Sequence, residues 1–170
     1  MPDALTLVLG GARSGKSAHA EALVTACAPP WLYLATAEAL DAEMRSRIAE
    51  HRARRAAGWE TREVPLALPE AIAALPPGRP ALVDCLTLWL SNLMLAGRDP
   101  GAETDRLAAA LAPARGPLVL VASEVGLGIV PENALAHRFR DAAGRLNQRV
   151  AALAGTVVLT VAGLPLRVKG

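Results

Sequence analysis

The stretch Gly10-Gly-Ala-Arg-Ser-Gly-Lys-Ser17 constrains this chain more than any other. It fits G-x-x-x-x-G-K-[ST] through Gly10, Gly15, Lys16 and Ser17. It lies between an apolar run, Ala4 to Leu9, and a helix-like stretch from Lys16 to about Cys27. That strand–loop–helix setting makes the string a phosphate-binding loop. Glycines let the backbone turn its N–H groups onto phosphate oxygens, and the helix N-terminus adds partial positive charge. Gly10, Gly11, Ala12, Arg13, Ser14 and Gly15 would wrap the phosphates, Lys16 would reach the β- and γ-phosphates, and Ser17 would hold Mg²⁺. The bland alternative is a glycine-rich turn that only caps a helix. The loop alone does not say what is done with the nucleotide.

Strand-like and helix-like segments alternate along the rest of the chain. Trp31 to Thr36, Trp59 to Val64, Pro80 to Cys85, Pro117 to Ala122 and Thr156 to Val161 read as strands, with Trp59 to Val64 at a sheet edge. Asp41 to Ala57, Pro69 to Leu75, Leu86 to Leu95, Ala102 to Leu111 and Glu132 to Leu153 read as helices. Pro29-Pro30, Pro76-Pro-Gly78 and Gly97-Arg-Asp-Pro100 break them, and the tail after Gly163-Leu-Pro165 suits one antiparallel strand. This alternation predicts a mostly parallel sheet with helices on both faces, with ligands at the carboxyl ends of the strands. A length of 170 residues predicts a single P-loop nucleotide-binding domain over 1–170.

Composition removes several function classes. Hydrophobic residues make up 52 %, so the chain is expected to be globular. Aromatics at 3 % and a net charge of +2 argue against a nucleic-acid partner. Cys27 and Cys85 lie far apart and offer neither a disulfide framework nor metal-ligand spacing. No charge-free apolar run approaches the ~18 residues of a membrane span. The N-terminus lacks the pattern of a signal peptide, so stable membrane insertion is not expected and a cytoplasmic enzyme is the default.

Asp84 closes the apolar run Ala81-Leu-Val-Asp84. An acid there suits a Walker-B role, holding Mg²⁺ directly or through water; the alternative is an N-cap for the next helix. Thr36 and Ser123 end the second and fifth strands, where a hydroxyl can orient water or phosphate, or cap a helix. Of three histidines, His19 lies in the first helix, His137 sits among Arg138 and Arg140, and His51 lies on a charged helix. On spacing alone none stands out, because a lone histidine on such a helix is usually structural or solvated.

The surroundings of His51 change its reading. Arg47-Ile48-x-x-His51-x-x-x-Arg55-x-x-x-Trp59-x-Thr61-x-Glu63-x-Pro65 is a long mixed pattern. It stands beside the phosphate loop, Tyr33-Leu-Ala-Thr-Ala37, Asp41-x-Glu43-Met44, Asn92 after Asp84, Glu124-Val-Gly-Leu-Gly-Ile-Val-Pro-Glu-Asn133 and Phe139-Arg-Asp-x-x-Gly-x-x-Asn147-Gln148. Together, from Leu5 to Lys169, these resemble the bifunctional adenosylcobinamide kinase / adenosylcobinamide-phosphate guanylyltransferase family of cobalamin assembly.

The resemblance implies a RecA-like P-loop fold, a homotrimer, and two reactions. The first phosphorylates adenosylcobinamide with ATP or GTP. The second transfers GMP from GTP to adenosylcobinamide phosphate through a guanylylated histidine, releasing pyrophosphate. The family's histidine falls on His51. Many relatives carry His-His here, whereas this chain has Glu50-His51, so the nucleophile is kept and its neighbour is changed. By the same resemblance Arg52, Ala53, Arg54, Arg55, Glu63 and Asp84 hold the guanine nucleotide, with Ala35 and Thr36 of the Tyr33–Ala37 motif counted among the nucleotide contacts. The chemistry suits imidazole, a competent nucleophile near pH 7 and a reasonable leaving group from phosphorus.

Two rivals are weighed against this. A plain small-molecule kinase would use the same loop and need no histidine nucleophile. A GTP-binding regulatory module would ordinarily carry Asn-Lys-x-Asp, which this chain lacks.

Overall fold

Runs of four to six Leu, Val and Ala residues bounded by Gly or Pro become strands here, because a parallel sheet covered on both faces has room for apolar side chains on either side. A computed structural model describes residues 4–55 and 57–170. In chain order the elements are β1 (Leu5–Gly10), α1 (Lys16–Thr25), β2 (Trp31–Ala35), α2 (Ala42–Arg54), β3 (Trp59–Glu63), α3 (Leu68–Ala73) and β4 (Ala81–Asp84). They continue with α4 (Leu86–Leu95), α5 (Pro100–Leu111), β5 (Leu118–Ser123), α6 (Ala134–Leu153), β6 (Thr156–Val161) and β7 (Leu164–Lys169).

The strands form one seven-stranded sheet in the order β3-β2-β4-β5-β1-β6-β7. All neighbours run parallel except the β6–β7 pair. The phosphate-loop strand β1 and the acid-bearing strand β4 are separated by β5, the RecA-like P-loop arrangement. Alternate strand residues divide between two cores. Leu7, Leu34, Val83 and Leu120 pack with Leu68, Trp89, Leu107 and Leu146, so α3 to α6 cover one face. Val8, Tyr33, Leu82 and Val121 pack with Ala20 and Val24 of α1 on the other. Each fully buried leucine contributes about 1.5–3 kcal/mol from lost water contact.

Helix ends depart from the sequence reading where a cap decides them. α5 starts at Pro100 and not at Ala102, because Asp99 accepts from Gly101 N and Ala102 N and Pro100 suits the first helical position. α6 starts at Ala134 and not at Glu132, because the Asn133 side chain accepts from Leu135 N and Ala136 N. α2 was expected to reach Ala57. It ends at Arg54, with Arg55 extended; Ala56 lies outside the described residues. The tail is the expected antiparallel edge strand, β7, exposed along its whole length.

Candidate functional site

Between β1 and α1 the loop is held by the last residues of β6 and the turn that follows. Gly10 has no room for a side chain, since a Cβ there would overlap the hydroxyls of Ser14 and Thr160. The Thr160 hydroxyl donates to Leu9 O at 3.1 Å, so the 2.9 Å contact between Ser14 Oγ and Thr160 Oγ1 has Ser14 as donor. Gly163 N donates to Ser14 O at 2.9 Å. Gly15 has φ 90°, a left-handed conformation, and a Cβ on it would come within 3.1 Å of Gly163 Cα. Lys16 Nζ donates to Gly11 O at 3.0 Å, which folds the ammonium back over the loop. No side chain caps α1 and no acid lies in its first turn, so no residue of that turn competes with a phosphate for its N-terminal amides. Ala12 and Arg13 are exposed on the outside of the turn, and Ser17 is half-buried in the first turn of α1.

At the carboxyl end of β4, Asp84 is half-buried and receives the Tyr33 hydroxyl on Oδ2 at 2.8 Å. Burial and the Asp84 charge push the Tyr33 phenol far above its ordinary pKa, so it remains a donor. The Arg55 guanidinium stacks 3.7 Å from the centre of the Tyr33 ring, and Trp59 meets that ring edge-on at 5.8 Å. Asp84 is not a helix cap. That role falls to Cys85, whose sulfur accepts from Leu88 N. Burial, then Asp84, pushes the Cys85 thiol up to about 11, which leaves it protonated at neutral pH. The Asp84–Cys85 peptide is cis.

Thr36 is fully buried, and its hydroxyl is committed to the backbone. It accepts from Cys85 N at 2.8 Å and donates to Cys85 O at 2.7 Å, clasping the ends of β2 and β4. Asn92 of α4 completes the clasp by donating to Thr36 O at 2.8 Å and Pro65 O at 3.0 Å. Ser123 uses its amide on Thr87 Oγ1 at 2.7 Å. Asn92, Thr87, Thr160 and Tyr33 are the supporting residues that motif reading did not assign. Thr87 and Thr160 carry the signal of a hydroxyl just inside a helix or near the end of an apolar run, whereas Asn92 and Tyr33 stand in the longer pattern quoted above without a role.

Strand register sets a row of site residues along the sheet edge. Ala35 pairs with Asp84 on one side and Glu63 on the other, in strands about 4.8 Å apart. Gly10 pairs with Ser123 and Thr160 further along. Above the β3 end lies α2, none of whose described residues is buried. Arg52 Nη2 reaches Glu63 Oε1 at 2.9 Å, and Arg55 Nη2 lies 3.4 Å from Thr61 Oγ1, so two arginines tie α2 to β3. His51 is half-buried beside Arg52, Ala53 is exposed, and the Arg54 side chain lies outside what is described. A groove of 720 Å³ runs between α2 and the β2 and β3 ends, lined by Glu38, Arg45, Ile48, Arg52 and Glu63 among others. A second of 440 Å³ lies between Arg52, Arg55, Trp59 and Thr61.

The donor set fits Mg²⁺, which takes hard oxygen ligands and usually keeps substrate phosphates and waters in its shell. Asp84 and Ser17 supply such oxygens. Among the described residues no cluster of three or more His, Cys, Asp or Glu could hold a metal unaided. Nor is any described helix long and apolar enough to cross a membrane.

Comparison with known proteins identifies the family. The family model described as cobinamide kinase / cobinamide phosphate guanyltransferase matches residues 6–168. The bifunctional adenosylcobalamin biosynthesis protein CobP of Pseudomonas aeruginosa is 49 % identical, over 96 % of each chain. The bifunctional adenosylcobalamin biosynthesis protein CobU of Salmonella typhimurium is 45 % identical, over 97 % of this chain and 99 % of its own. That of Escherichia coli is 42 % identical, over the same shares. Among solved structures, the P4 protein from bacteriophage phi6 in complex with ADP superposes with a TM-score of 0.47 at 16 % identity, over 95 % of this chain and 52 % of its own. With the family model matched from β1 to β7 and relatives this similar along their whole length, the chain belongs to the cobinamide kinase / cobinamide phosphate guanyltransferase family.

Proposed function

We propose that this chain, working as a single P-loop domain, phosphorylates adenosylcobinamide with ATP or GTP. It then transfers GMP from GTP to the resulting phosphate, giving adenosyl-GDP-cobinamide and pyrophosphate. The observation that carries the reading is the shared sheet edge: the phosphate loop, Asp84 and the Arg52–Glu63 anchor of the His51 helix all sit at the carboxyl ends of parallel strands. In the first step Lys16 and the loop amides hold the γ-phosphate for the aminopropanol hydroxyl. In the second, a ring nitrogen of His51 attacks the α-phosphorus of GTP, and pyrophosphate leaves. The phosphate of the corrinoid then displaces the imidazole, turning one difficult displacement into two easier ones. Arg52, Arg55 and Glu63 position the guanine nucleotide for this step. Ser17 and Asp84 would hold Mg²⁺, which neutralises charge on the phosphates when bound.

The setting we infer is a cytoplasmic homotrimer. Leu164, Leu166 and Val168 of the edge strand β7 are exposed, apolar side chains that a neighbouring copy could cover. Sedimentation of the purified chain should give a trimer mass.

GTP labelled at the α-phosphate tests the chemistry. The protein should acquire an acid-labile, base-stable label that passes to adenosylcobinamide phosphate. His51→Ala should abolish labelling while γ-phosphate transfer continues. Full labelling in that variant would remove His51 from the reaction.

A further inference from the structure

The two reactions make different demands on protons, and one carboxylate near the loop matches a demand nothing so far described meets. In the kinase step the nucleophile is an alcohol, a poor one until its proton is removed. The guanylyl steps need no such group: neutral imidazole attacks through its own lone pair, and a phosphate monoester is already ionised near pH 7, its second pKa being about 6.

Glu124 follows β5, the strand that separates the phosphate-loop strand from the Asp84 strand. Its amide donates to Gly10 O at 2.9 Å, which fixes the residue against the first glycine of the loop. Its side chain does not stretch into solvent. Oε1 accepts from Gly126 N at 2.6 Å, so the carboxylate is folded onto its own turn and half-buried. Arg140 Nη2 approaches the same turn at Gly126 O, 3.5 Å away. Just beyond, Leu127 and Ile129 are 87 % and 98 % exposed, so the apolar side chains of this turn do not pack over Glu124 in the single chain. A glutamate needed only to shape the turn would satisfy one N–H with one oxygen. That bond takes one lone pair of Oε1, and the residue itself follows the carboxyl end of β5, where ligands of a parallel sheet bind.

Resting on the function proposed above, we infer that Glu124 is the catalytic base of the kinase step. Its carboxylate takes the proton of the aminopropanol hydroxyl as the alcohol oxygen bonds to the γ-phosphorus. The bond from γ-phosphorus to the bridging oxygen breaks, and the nucleoside diphosphate leaves with that electron pair. The proton then passes from Glu124 to water.

Glu124→Gln separates the two demands, because the amide oxygen can still accept from Gly126 N while the proton acceptor is gone. With adenosylcobinamide and ATP, kcat for γ-transfer should fall about 10²–10⁴-fold, the usual size of general base catalysis, with KM for ATP unchanged. The same preparation should still take label from α-labelled GTP and pass it to adenosylcobinamide phosphate supplied directly, which also shows that it is folded. Glu124→Asp, which keeps a carboxylate, should recover part of the γ-transfer rate. Undiminished γ-transfer in Glu124→Gln would overturn the assignment. So would an equal loss of γ-transfer and labelling, which would make Glu124 a residue that only shapes the loop. A wild-type chain that labels itself but phosphorylates no adenosylcobinamide would overturn the kinase half of the proposed function itself, a result distinct from either.

Discussion

The β1 end of the site and the β3 end are built by opposite means. Around the phosphate loop, Leu7, Val8 and Val121 are buried, and the loop is tied by Ser14, Thr160 and Gly163 to a neighbouring strand and turn. The β3 end has an edge strand, a helix with no buried described residue, and contacts from the exposed Arg52 to Glu63 and the half-buried Arg55 to Thr61. The first is held by packing and short backbone hydrogen bonds. The second is held by charge on the surface, which is weak in water. A phosphate cradle must present the same amides to every nucleotide, so rigidity suits it. In the function proposed above, His51 meets first GTP and then an acceptor, and a loosely tethered helix suits a residue that serves two partners.

The largest test of that contrast is Lys16→Ala. If one cradle serves both reactions, γ-transfer and self-guanylylation should each fall by about 10²–10³ or more, the size of a lost electrostatic clamp. Retention of either at wild-type rate would mean that the β3 end has its own phosphate site. Next comes Gly10→Ala, because the added methyl meets Ser14 and Thr160, which are buried and hydrogen-bonded to each other. Overpacking of this kind costs about 1–3 kcal/mol, read as a lower urea midpoint, and nucleotide affinity should fall with it. An equally stable variant with normal affinity would show that the cradle yields more than its packing implies.

Tyr33 joins the β3 end to Asp84 at the end of β4, since it donates to Asp84 and carries Arg55 on its ring. Tyr33→Phe keeps the ring and removes only the donor. A hydrogen bond to a charged carboxylate is worth about 1.5–3 kcal/mol, so divalent binding in the presence of nucleotide should weaken by about tenfold to a hundredfold. Titration with Mn²⁺ followed by electron paramagnetic resonance reads this directly, without turnover. An unchanged Mn²⁺ affinity would confine Tyr33 to packing.

Much of this layout is legible in the sequence because each reading rested on a local rule. The phosphate loop is a contiguous string, Asp84 closes a short apolar run, and the alternation of elements fixes a parallel sheet. What stays hidden is whatever depends on strand order. Thr160 is far from Ser14 in the chain, and only the placement of β6 beside β1 brings their hydroxyls together. Thr36 reads in sequence as a residue that meets phosphate or caps a helix; that its hydroxyl also donates to and accepts from Cys85 follows only from β4 lying against β2. The role proposed for His51 is the extreme case: nothing in its spacing marks a nucleophile, and the proposal rests on the long pattern around it and the family resemblance that pattern carries.

The smallest expected effect is also the one that best separates tether from ligand contact. Arg52 and Glu63 are both exposed, so the ion pair should contribute only about 0.2–1 kcal/mol to stability, and less in high salt. Arg52→Ala should therefore leave the melting temperature nearly unchanged while raising KM for GTP in the guanylyl step, because a guanidinium beside His51 is then lost to the nucleotide. The exchange variant, Arg52→Glu with Glu63→Arg, restores a pair of opposite charges between α2 and β3 but moves the cation to the strand. Stability that returns without GTP affinity would show that the nucleotide uses the cation on the helix. Recovery of both would reduce the pair to a hinge that only holds α2 in place, and the arginine that meets GTP would then be sought at Arg55, on the far side of the same helix end.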